Sequence, residues 1–216
     1  MAPGARFQAQ GPRETVMTVP RILAAHDSMV LLVDMQAGLL PAIDASEALV
    51  ARVHRLLSAA RALNVPVIAT EHCADKIGAT DPRLAELAEK VLHKVHFDAM
   101  READTLSQLP VGRHNVLVVG TEAHVCVLQT ALGLALAGLT PWLVADGIGS
   151  RRESDRAAAL QRWLQGGGNI VTSEMAMFEW LGSARNPAFR DVLALIKSSD
   201  ETIVSDAHHS FVSESQ

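Results

Sequence analysis

The stretch 115–138, NVLVVGTEAHVCVLQTALGLALAG, leaves the surrounding chain few choices. Four apolar residues at 116–119 run up to Gly120, a length that suits a buried strand better than a helix. Past the glycine, an apolar, alanine-rich segment continues until Gly138 ends it, which predicts a helix over 124–137. Strand, glycine turn and helix in that order form the repeating unit of a sheet covered by helices. Cys126 falls near the first turn of this helix. Unpaired N–H groups and the helix dipole favour a thiolate there, and the same N–H groups can hold an oxyanion. A lone Cys in an apolar helix is more often a small buried hydrophobe, so Cys126 needs support from elsewhere in the chain.

The rest of the sequence repeats the unit. Apolar runs at 29–33, 66–69, 91–94, 141–145 and 169–171 read as further strands. Helices are expected from about 47 to 62, behind a capping box of Asp44 and Glu47, and from 82 to 89, behind Asp81 and Pro82. Others are expected at 102–109, 153–165, 174–181 and 187–197. Six strands alternating with helices make an α/β fold, a three-layer α/β/α arrangement around a mainly parallel sheet. One domain is expected at 21–197. A loose arm at 1–20 and a polar tail at 198–216 flank it.

Composition narrows the function classes. The 216 residues carry 49% hydrophobic content, enough for one substantial core. Nineteen basic and 24 acidic residues give a net charge of −5, and no basic run of the nucleic-acid type occurs. No uncharged apolar stretch of about 20 residues suggests a membrane span. Two cysteines, Cys73 and Cys126, make no disulfide framework, and the N-terminus lacks the apolar core of a signal peptide. A cytoplasmic location is the expectation. Gly147 and Gly149 do not extend to a dinucleotide fingerprint, so no cofactor is expected.

In parallel α/β sheets, sites form beyond the carboxyl ends of the strands. Asp34, the segment 70–72, Lys94, the 120–126 turn and Asp146 all follow predicted strand ends, and therefore share one edge. A nucleophilic Cys needs a base, and Asp34 can serve. Lys94 can stabilise carboxylate and thiolate together. Each residue alone has an ordinary explanation, as a loop-capping acid or a solvated lysine. Their meeting at one edge is harder to explain that way.

These residues carry a family resemblance. LLVDMQ at 31–36, TEH at 70–72, LHKVHFDAM at 92–100 and GTEAHVCVLQTALGLALAGLTPWLVADGIGSR at 120–151 resemble the isochorismatase-like cysteine hydrolases. The resemblance runs from about Met29 to Lys197. It implies a Rossmann-like fold with a catalytic triad of Asp34 as base, Lys94 as cationic partner and Cys126 as nucleophile. It also implies a non-proline cis peptide joining Thr121 and Glu122, which would aim the Glu122 and Cys126 N–H groups at the substrate oxygen. Homo-oligomers are usual in the family.

Within that family, metal-dependent nicotinamidases bind their ion through an Asp and several His in a D-x-H spacing. Here Glu71 and His72 stand in that segment with no second His nearby, so no metal is expected. His93 and His96 flank Lys94 without an assigned role. Vinyl-ether-cleaving isochorismatases lack the Cys, so Cys126 argues against that reaction. EAHVC and VADGIGSR look most like the isochorismatase-domain hydrolases of undefined substrate. Gln36 is expected at the pocket mouth. Phe97 either walls the pocket or packs in the core, and His124 either touches substrate or caps the turn. Cys73 reads as incidental, and Asp146, Ser150 and Arg151 as loop braces. The leading expectation is an amidase acting on a small molecule. A metal-dependent nicotinamidase and a catalytically weak binding or assembly protein are the alternatives.

Overall fold

The computed structural model describes residues 22–198. The expected arm at 1–20, and all but the first residue of the tail at 198–216, lie outside them. The described elements in chain order are β1 (Ser28–Val33), α1 (Ser46–Ala62), β2 (Val67–His72), α2 (Ala74–Ile77), α3 (Pro82–Ala85), β3 (Lys90–Lys94), α4 (Thr105–Gln108), β4 (Asn115–Gly120), α5 (Leu128–Leu136), β5 (Thr140–Ile148), α6 (Glu153–Gln165), β6 (Asn169–Val171), α7 (Ser173–Leu181) and α8 (Phe189–Lys197). All six strands pair in parallel, in the order β3-β2-β1-β4-β5-β6. The order reverses between β1 and β4, the kind of switch point at which open α/β sheets bind their ligands.

β1 is buried along its whole length, as a central strand covered on both faces must be. Its side chains alternate between two cores. Val30 and Leu32 pack with α1, α7 and α8, through residues such as Leu56, Met177 and Val192. Met29, Leu31 and Val33 pack on the other face with α5 and α6, through residues such as Ala131, Leu134 and Trp163. The result is the three-layer α/β/α architecture expected from the sequence.

Several local expectations give way to stronger partners. The box of Asp44 and Glu47 does not form: Ala45 takes the cap position in a left-handed conformation (φ 49°), and Glu47 is drawn away to Arg83 at 2.7 Å. Asp81 does cap α3, accepting from the Arg83 N–H at 3.0 Å. That helix ends at Ala85 and not near 89, because Glu89 already donates its N–H to Val67 O in the approach to β3. The helix expected over 102–109 shrinks to α4, since the Glu102 carboxylate binds the N–H groups of Val95 and His96. The helix expected over 124–137 starts instead as a π-helical turn, Ala123–Val127, and becomes regular only in α5. Among the described residues no helix is long and apolar enough to cross a membrane.

The junction of β1 and β4 has no room to spare. Gly120 sits at φ +147°, opposite Val33, and a Cβ there would lie 2.1 Å from the Val33 carbonyl oxygen. That oxygen also accepts the Thr121 N–H at 3.0 Å. Gly112 has positive φ too, but open space around it. Gly120→Ala is therefore expected to destabilise the fold by more than about 2 kcal/mol, against about 1 kcal/mol for Gly112→Ala. Urea unfolding of the two variants side by side checks the difference.

Candidate active site

Asp34 follows β1 directly and is fully buried in a left-handed conformation (φ 52°). Such a conformation in a non-glycine residue must be enforced by its surroundings. Three bonds enforce it. The Asp34 N–H donates to Thr70 O at 3.1 Å, Thr70 Oγ1 donates to Asp34 Oδ1 at 2.7 Å, and Thr121 Oγ1 donates to Asp34 O at 2.5 Å. β2 and the turn after β4 thus grip the acid from both sides.

Lys94 closes β3 at the sheet edge, and its side chain returns to the centre. Nζ lies 2.7 Å from Asp34 Oδ2, with both side chains almost fully excluded from solvent. The ammonium also donates to His96 O at 3.2 Å and Phe97 O at 3.4 Å. A buried charge is tolerable only with such partners. Those carbonyls are placed by Glu102, which binds the Val95 and His96 N–H groups and the His96 ring. Hydrogen bonds to His96 and Val95 hold the Glu102 carboxyl at about 2. A group with a lowered folded pKa gives support that is complete above its unfolded value and is lost as pH falls toward 2.

Cys126 is buried in the π-helical turn. Its thiol is pushed up to about 12, chiefly by burial and next by the charge of Asp34, while Lys94 pulls the other way. Both side chains are thus near enough to the sulfur to act on its titration. Acid, amine and thiol therefore meet, although they are distant in sequence. One expectation is corrected here. The helix start does not leave a standing thiolate; desolvation outweighs it, and the resting group is the thiol.

The Thr121–Glu122 bond is also corrected. It is trans, as is every peptide bond among the described residues. The chain makes the turn with positive φ at Gly120 and at Glu122 (φ 54°, ψ 59°). The neighbouring N–H groups are taken, Thr121 by Val33 O and Ala123 by Gly149 O. The Glu122 N–H has no acceptor among the described residues.

The remaining candidates divide. Gln36 does not line the mouth: it is fully buried, and its amide clamps His72 N–H, His72 O and Gly78 O. Phe97 is half exposed rather than packed in the core, and its ring lies 5.4 Å from that of His72. His124 Nδ1 lies 3.1 Å from Ser150 Oγ and 3.5 Å from Glu122 Oε2. Arg151 pairs with Glu122, and Asp146 binds Ser173 at the start of α7. Cys73 is half-buried, 3.7 Å from His72 Nε2. Glu71 is committed to Thr80, with His93 at 3.5 Å. Among the described residues no three His, Cys, Asp or Glu side chains gather as a metal-binding group. The sequence alone assigns Thr70 no role, and its one signal is a hydroxyl near the end of the strand beside the acid-bearing strand.

Comparison with known proteins gives the family. The isochorismatase domain model matches residues 28–175. The chain belongs to the isochorismatase domain family. Isochorismatase domain-containing protein 2A of Mus musculus is 33% identical over 176 residues, covering 80% of this chain and 84% of that protein. Isochorismatase domain-containing protein 1 of Salmo salar is 34% identical, covering 87% and 67% respectively. Among solved structures, the MAR1 ribonuclease of Caenorhabditis elegans superposes with a TM-score of 0.76 at 33% identity, over 83% of this chain and 94% of that one. The Escherichia coli YcaC product, described as an octameric hydrolase of unknown specificity, shares the fold with a TM-score of 0.78 at 24% identity, over 89% and 99%. Family membership makes this isochorismatase-fold chain a hydrolase by kinship.

A thiol at about 12 leaves about one part in 10⁵ as thiolate at pH 7. Alkylation of Cys126 by iodoacetamide is therefore expected to rise about tenfold per pH unit from 7 to 10, with no plateau. Peptide-resolved mass spectrometry measures the rate. A plateau near neutrality would contradict the raised value.

Proposed function

We propose that the protein is a cysteine-dependent hydrolase of a small-molecule amide, or of a related C–N or ester bond. The observation that carries this is the buried Asp34–Lys94 ion pair, close enough to the Cys126 thiol to act on its titration. A pair of charges hidden beside a thiol serves no core packing, and its chemistry is that of proton transfer.

Asp34 accepts the thiol proton as sulfur attacks the substrate carbonyl. Lys94, paired with the acid, offsets the charge that moves onto sulfur and oxygen. The free N–H of Glu122 receives the developing oxyanion. When the tetrahedral intermediate collapses, the leaving amine takes the proton back from Asp34, and a thioester remains on Cys126. Water then attacks with Asp34 again as base, releasing the acid and restoring the thiol. The raised thiol value fits this order of events, since a base beside the sulfur is needed only when the thiolate is not already formed. No step calls on a metal or an organic cofactor.

Phe97 and His124 are the proposed contacts to substrate, Phe97 as an exposed aromatic wall beyond Lys94 and His124 beside the nucleophile turn. The protein is further proposed to be cytoplasmic and homo-oligomeric. Leu132 and Leu136 on α5 and Leu164 on α6 leave apolar side chains at the surface, which supports assembly. Octamer formation is described for the YcaC neighbour. The ribonuclease name belongs to the C. elegans neighbour; a net charge of −5 gives RNA little footing on this chain.

The test is an amide and ester library screened with wild type, Cys126→Ala and Asp34→Asn. Hydrolysis is expected to vanish in Cys126→Ala and to fall about 10²- to 10⁴-fold in Asp34→Asn. Wild type should show a thioester mass adduct on Cys126. Equal turnover in wild type and Cys126→Ala would discard the cysteine route and favour a binding or assembly role.

A further inference from the structure

We propose that Arg151 is a positioning residue for this chemistry. It holds and neutralises Glu122, so that the Glu122 N–H stays aimed at the oxygen of the tetrahedral intermediate. The inference rests on Cys126 as nucleophile.

Glu122 stands four residues before Cys126, at the mouth of a single π-helical turn, in a left-handed conformation (φ 54°, ψ 59°) that a side chain makes costly. Something must hold it there. The segment 149–151 does so. Gly149 donates to Gly120 O and accepts from the Ala123 N–H, both at 2.9 Å. Arg151 Nε lies 2.9 Å from Glu122 Oε1. Ser150 Oγ lies 3.1 Å from His124 Nδ1, which is itself 3.5 Å from Glu122 Oε2. Backbone and side chains of one loop thus lace the nucleophile turn from Gly120 to His124.

The charge balance gives Arg151 its second task. The Glu122 side chain is 13% exposed, and its Oε2 is buried without a hydrogen-bond partner. A carboxylate so placed opposes negative charge on the substrate oxygen bound at its own N–H. Arg151 cancels that charge. Its own guanidinium side is 56% exposed, and ion pairs of such exposure contribute little to stability. The pair is better placed to serve the transition state than the fold.

The experiment compares wild type, Arg151→Ala, Arg151→Lys, Glu122→Gln and the Arg151→Ala/Glu122→Gln double variant. The probes are p-nitrophenyl acetate, whose hydrolysis builds an oxyanion, and iodoacetamide, whose reaction with Cys126 does not. Arg151→Ala is expected to lower kcat on the ester about 10- to 100-fold with KM nearly unchanged. Alkylation of Cys126 should stay within about twofold of wild type. Arg151→Lys should fall between, and adding Glu122→Gln should restore part of the loss, because no charge is then left uncompensated. Unchanged kcat, hydrolysis and alkylation falling together, or no recovery in the double variant would each overturn the role of Arg151. Cys126→Ala runs alongside. Ester hydrolysis persisting there would overturn the nucleophile reading itself, while its loss together with an indifferent Arg151→Ala would overturn only the brace.

Discussion

Everything at the carboxyl edge of this sheet is arranged around one desolvated ion pair, Lys94 with Asp34. Removing either partner would strand a charge where water cannot reach it, at a cost of about 3–5 kcal/mol. That penalty forces neighbouring groups to choose positions. Thr70 gives its hydroxyl to the carboxylate, and the His96 and Phe97 carbonyls turn inward to the ammonium. Glu102 in turn secures the loop that carries those carbonyls. The site is best described as a chain of obligations that begins with two hidden charges.

The topology explains how residues so far apart in sequence are collected. Lys94 ends an outer strand, and Asp34 and Gly120 end the two central ones. Thr70 lies on the strand between β3 and β1, in register with Val33. The switch in strand order sets the acid beside the turn that presents Cys126. Kinship with the isochorismatase domain family and the six-stranded parallel sheet agree on the fold.

Much of this was legible in the residues themselves. Short apolar runs that end in Asp34, Lys94 and Gly120 announced a parallel sheet and the edge where its site lies. What stayed hidden depended on partners that the local pattern does not point to. Glu47 and Glu102 look like helix-starting acids, and nothing nearby shows that Arg83 and the loop at 95–96 claim them. Gln36 looks like a pocket residue from its distance to Asp34, yet the amide is spent on holding the chain at His72 and Gly78. The state of Cys126 is hidden from the sequence for a related reason. A helix start can be read locally, whereas the degree of desolvation depends on the whole packed layer above it.

The contacts between Thr121, Val33 and Asp34 have one further consequence. The Thr121 backbone N–H is bound to the Val33 carbonyl, and its hydroxyl to that of Asp34. Asp34 and the turn that carries Cys126 are thereby riveted into one rigid piece of the scaffold. A change in the surrounding loops therefore need not alter the spacing between the Asp34 carboxylate and the Cys126 turn.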